Sequence, residues 1–163
     1  MDLAYRSLHL LAAAVWGGGL VILAVVAASA SRALSEADRS ELFHVVGRRF
    51  LIVSALSAVV LFGTGLELAS DRFGSLSAID GAPDGGLVIA KTVIFVVLLG
   101  LALVHSFVLG PRLRELKRQL SRGAADPAIE RSKRTVGVLS GLVHASLLLG
   151  TVAIFVLAAD LVS

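Results

Sequence analysis

The chain contains no cysteine, and its only methionine is Met1. Without cysteine there is no disulfide, no iron–sulfur cluster and no thiolate metal site. Without internal thioethers, the soft sulfur ligands that a relay for soft metal ions would use are missing too. Charge is scarce: Asp, Glu, Lys and Arg make up 17% of the residues, and the stretches 8–31, 50–66, 92–110 and 135–159 contain none of them. Proline occurs three times, as Pro83, Pro111 and Pro127, each at a predicted break and none inside an apolar run. No internal repeat or low-complexity tract is evident.

What is present is apolar. A hydrophobic fraction of 56% and a mean hydropathy of +0.89 exclude an ordinary soluble domain. A bilayer core needs about 20 apolar residues per helix, so the four runs predict four membrane spans. The second reaches that length only by running through Glu67, and the third by starting before Lys91. The predicted fold is all-α: a polytopic membrane protein, one four-transmembrane-helix bundle over 1–163, with spans at about 3–31, 46–69, 87–110 and 135–160. Spans and loops use up the chain, which leaves no room for a soluble catalytic domain. The 16 glycines and many alanines suit close helix packing. Ala28-Ser29-Ala30 resembles a signal-peptidase site, but the run before it is long and the positive charge follows it, so a retained first helix is expected.

The basic residues are unevenly placed. Arg32, Arg39, Arg48 and Arg49 lie in one loop region, and Arg112, Arg114, Lys117, Arg118, Arg122, Arg131, Lys133 and Arg134 in another on the same side. These are twelve of the fifteen Lys and Arg residues; Arg6, Arg72 and Lys91 are the rest. The positive-inside rule makes the two basic loops cytoplasmic and both termini external. The localisation this implies is multi-pass in a membrane, with the basic loops on its cytoplasmic side. The charge reports topology and contact with anionic lipid head groups, and not nucleic-acid binding.

Local signals set the expected boundaries. Ser35 with Asp38 three residues later reads as a capping box, opening a helix near 36 that runs to about 69. Residues 71–86, rich in Gly, Ser and Asp and holding Pro83, read as an outer loop. The third span is expected to be interrupted at Gly110-Pro111. A short amphipathic cytoplasmic helix then follows, with Leu113, Leu116 and Leu120 on one face. Gly123 and Asp126-Pro127 are expected to end it, ahead of a last helix over about 132–160.

Chemistry has to be sought among few residues. Ionisable groups at membrane depth are costly and usually face a bundle interior. On the helical period His9 shares a face with Ala12, Ala13 and Trp16, and Lys91 nearly shares one with His105. His144 lies on a stripe with Gly137, Ser140, Gly141, Leu148 and Thr151, where Gly137 and Gly141 have the small-xxx-small spacing of a helix contact. Depth, at 1.5 Å per residue, groups His9, Glu67 and Lys91 toward the outside and His105 with His144 toward the inside. The inner pair is offset by several Å, so that a shared ion requires tilt or a large ligand. His44, among charges, reads as a solvated surface residue. Each of the others also has a plainer role: mutual neutralisation for Glu67 and Lys91, a bond to a serine or a carbonyl for each histidine.

Several segments together resemble the copper-resistance D (CopD) family of bacterial membrane proteins. They are the 8–20 block with His9 and Trp16-Gly17-Gly18-Gly19, then Val46-Gly47-Arg48-Arg49-Phe50, then Lys91 followed by His105-Ser106-Phe107-Val108-Leu109-Gly110-Pro111-Arg112-Leu113. The resemblance implies a four-helix membrane unit with a role in copper uptake or tolerance. Its metal ligands would be imidazoles, with His9 and Glu67 as an outer site for Cu(II). Its partners would be the bilayer, other membrane or periplasmic copper-handling proteins, and a homo-oligomeric copy. A second likeness, an early His before Trp-x-Gly with a Lys at the mouth of helix three, is similar to the haem-containing membrane protoporphyrinogen oxidases. It implies a b-type haem bound through His9 and Lys91, with His105 and His144 as further candidates. The Arg and Tyr-His that follow that family's first helix are missing here. A third reading is a cofactor-free structural subunit.

Overall fold

The computed structural model describes residues 3–122 and 126–160, all of whose regular structure is helical. Helix α1 spans Leu3–Ala33 and α2 spans Glu36–Phe73. A 3-10 turn at Leu76–Ala78 leads to α3, Gly85–Val104. A π turn at His105–Leu109 joins α3 to α4, Gly110–Ser121, and α5 covers Pro127–Asp160. Four segments are long and apolar enough to cross a membrane: Leu3–Ala33, Glu36–Phe73, Gly85–Ser121 and Pro127–Ala159. The four spans expected from hydropathy are therefore present. Gly123, one of the expected breakers, lies outside the described residues.

The boundaries follow from capping chemistry. Ser35 is the N-cap of α2: its hydroxyl oxygen accepts the Asp38 N–H at 3.2 Å and its hydroxyl donates to the Asp38 carboxylate at 2.6 Å. The predicted box is thus formed, but through the hydroxyl, because an aspartate is one methylene shorter than the glutamate that reaches back to the backbone. Helix α2 runs four residues past its expected end and stops at Gly74, whose φ of 76° is the left-handed conformation that glycine adopts without a steric cost. Asp126 and Pro127 start α5 instead of only ending what precedes it. The Asp126 carboxylate accepts the Ala128 N–H at 2.8 Å, and Pro127 takes the first helical position, where no N–H is needed.

The expected interruption at Gly110-Pro111 is replaced by a continuous path. Pro111 has no N–H to give the carbonyl one turn back, and its ring would press on that carbonyl. The chain widens by one residue just before it, with the Gly110 N–H bonded to the His105 carbonyl in the π register. Helix α4 is the expected amphipathic segment. Leu116 is buried and Leu113 and Leu120 half-buried, while Glu115 pairs with Arg118 and accepts from Gln119 on the polar side.

The chain divides into two compact units, Met1–Ala90 and Lys91–Ser163. In the first, α1 and α2 are antiparallel: His9 meets Thr64, and Gly19 lies against the Phe50 ring. Their seam is small and hydroxylic, with Ala12, Trp16, Gly17, Ser54, Ser57, Ala58 and Thr64 all buried. In the second, α3 and α5 are antiparallel, with His105 beside Ser140 and Leu98 beside Gly150. Large apolar side chains point away from these seams: Val59 is 72% exposed and Leu149 71%. Polar seams with apolar exteriors are the arrangement a lipid solvent selects.

Candidate functional site

Each unit holds one histidine arrangement. In the first, His9 Nδ1 lies 2.8 Å from Thr64 Oγ1, and the Thr64 hydroxyl in turn reaches the Val60 carbonyl at 2.6 Å. That carbonyl can only accept, so the Thr64 proton is spent on it and Thr64 Oγ1 accepts from His9 Nδ1–H. The bond selects one tautomer of neutral His9 and puts the lone pair on Nε2. Gly65 shapes the floor: a Cβ there would lie 3.5 Å from His9 Cε1. Ala12 and Trp16, which were expected to share the His9 face, are both buried.

In the second unit, His105 and His144 are in contact. Their ring centroids are 4.3 Å apart with an interplanar angle of 77°, an edge-to-face pair. Ser140 serves both rings: its Oγ lies 3.2 Å from His105 Nδ1, and its carbonyl accepts the His144 Nδ1–H at 2.8 Å. The expected depth offset between the two is thus overcome, and the reason is side-chain direction. Every Cα–Cβ bond of a helix tilts toward its N-terminus, and α3 and α5 run in opposite senses. His105 and His144 therefore lean toward one another, and His144 leans further by bonding the carbonyl one turn behind it.

The stripe predicted around His144 is only partly a contact. Ser140 and Thr151 belong to it, but Gly141 is exposed and a Cβ on either Gly137 or Gly141 would meet nothing within 4 Å. The close approach falls at Gly150 instead, where a Cβ would sit 2.6 Å from Leu98 Cδ2. Glu67 is exposed on α2, one turn beyond Thr64; Lys91 is half-buried near the start of α3; His44 is exposed, as expected. Thr64 was the partner missed in the sequence. Its signal was the stripe of Ser54, Ser57, Ala58, Thr64 and Gly65, small and hydroxyl residues at helical spacing on a single face.

The donor types present are imidazoles with hydroxyls behind them. Imidazole suits copper, and a hydrogen bond to the far ring nitrogen is how such ligands are oriented. The number is modest: among the described residues, no group of three His, Asp or Glu side chains gathers as around a metal ion.

Residues 44–159 match the family model for CopD, copper resistance protein D. The matched region contains Glu67, Lys91, His105, Ser140 and His144, and it leaves out α1 with His9. No curated protein matches the chain, and no solved structure does. The likeness to haem-containing oxidases gains no support from these comparisons.

Proposed function

The chain belongs to the copper resistance protein D family, and from that premise we propose that it passes copper ions, as cargo, through a bacterial cytoplasmic membrane. On this reading His105 and His144 receive the ion in the second unit. The observation that carries it is the shared Ser140: it takes up the His144 Nδ1–H, so that His144 Nε2 holds the lone pair, and it orients the neighbouring His105. Two imidazoles bind copper less tightly than a closed four-ligand site. A conduit needs that balance, because an ion must leave as readily as it arrives. Accepting an ion between the two rings requires one of them to turn out of the edge contact.

His9 is the proposed station of the first unit, its ring held by Thr64, with the Glu67 carboxylate one turn along α2 to attract a cation. The basic segments 32–49 and 111–134 are proposed to be cytoplasmic, which places α4 at the inner surface among anionic lipids. The partners this implies are the bilayer and membrane or periplasmic copper-handling proteins.

Copper accumulation and copper tolerance should be measured in cells carrying the native chain, His105→Ala, His144→Ala, and His44→Ala as a control. The first two variants should lose the copper phenotype at unchanged membrane abundance, and the control should keep it. Unchanged accumulation in both would overturn the reading. A Soret band in the purified native protein, abolished by His9→Ala or Lys91→Ala, would replace copper with haem.

A further inference from the structure

The first unit also carries an open groove of about 450 Å³ between α1 and α2, lined by no histidine. Its walls include Ala14, Gly18 and Ile22 on α1 and Arg49, Phe50 and Val53 on α2. Gly18 faces open space there, since a Cβ on it would meet nothing within 4 Å. We propose that this groove binds one acyl chain of an anionic phospholipid, whose phosphate pairs with Arg49.

Length, charge and position each point to that occupant. From Ile22 to Ala14 the groove runs eight helical rises, about 12 Å. A single leaflet of hydrocarbon is about half of a core roughly 30 Å thick, so the groove accommodates most of one chain's depth. Arg49 is the last charged residue before the uncharged run 50–66, with Arg48 beside it. That is where head groups meet hydrocarbon, and a guanidinium binds a phosphate through two parallel N–H donors. A second copy of α1 would suit the site less well, because residues 7–31 contain no carboxylate to meet Arg49. The proposal stands apart from copper handling, since none of the groove residues is a histidine.

Native mass spectrometry of the full chain in detergent tests it, using phosphatidylglycerol and phosphatidylcholine with identical acyl chains. The native protein should bind its first phosphatidylglycerol roughly fivefold more tightly than phosphatidylcholine, the factor expected for one basic residue at a lipid surface. Arg49→Gln should bind the two lipids equally. Gly18→Leu, which fills the groove, should weaken the first binding step for both. Arg112→Gln, a basic residue that does not line the groove, should retain the preference. Thermal melts without added lipid establish that the variants are folded. Equal binding of both lipids by the native chain, a preference that survives Arg49→Gln, or an unchanged first step in Gly18→Leu would each overturn the proposal.

Discussion

His105 and His144 touch edge to face across an antiparallel helix pair, and the single residue Ser140 bonds to both rings. The pair is built from opposite helix directions more than from matched depth. The π turn beginning at His105 adds to it, since wider turns of this kind recur at functional positions.

Ser140→Ala removes the hydroxyl near His105 and leaves the backbone bond to His144 in place. Hydrogen bonds between membrane helices contribute about 0.6 kcal/mol on average, so stability in detergent should fall only slightly. Copper binding, measured by equilibrium dialysis of the purified protein, should fall by a larger factor because His105 loses its orientation. A drop in stability with copper binding intact would make Ser140 a packing residue only.

Thr64→Val keeps the shape of the side chain and deletes the acceptor for His9. The expected cost is between about 0.6 and 1.7 kcal/mol in a denaturation series, with Thr64→Ser close to the native value. A loss in Thr64→Ser with none in Thr64→Val would show that the methyl group matters and the bond to His9 does not.

The two glycines of α5 should part company. Gly150→Leu forces side-chain atoms against the buried Leu98 and should destabilise by about 1–3 kcal/mol, the usual range for overpacking. Gly141→Leu meets open space and should change stability by less than about 0.5 kcal/mol. Comparable melting losses for both would mean that the Gly141 face is covered in the assembled protein.

Because the chain has no cysteine, topology is open to single-cysteine labelling without background. Asp80→Cys should react with a membrane-impermeant maleimide in intact cells, and Ser121→Cys should react only after permeabilisation. The reverse pattern would invert the proposed orientation and place the twelve basic residues outside.

Much of this was legible in the residue order. The capping pair Ser35 and Asp38, the amphipathic Leu113–Leu116–Leu120 face and the four apolar segments depend on contacts within a few residues. Propensity, capping and hydropathy act at that range. The path through Gly110-Pro111 was not legible, since a proline is compatible with a break, a kink or a widened turn, and only the hydrogen bonds of the surrounding helix choose among them.

Composition and hydropathy by themselves determined that the chain is helical and made for a membrane. Unpaired backbone groups cannot be left in hydrocarbon, so long uncharged apolar runs have no other regular form. They also narrowed the chemistry to a few imidazoles. Tertiary structure alone decided which groups meet. It gave His9 to Thr64, joined His105 to His144 through Ser140, and moved the tight helix contact from Gly141 to Gly150. These pairings follow from the register and direction of packed helices. A face read from periodicity carries no information about which residue of the neighbouring helix lies opposite, and that choice is made by side-chain fit along the whole seam.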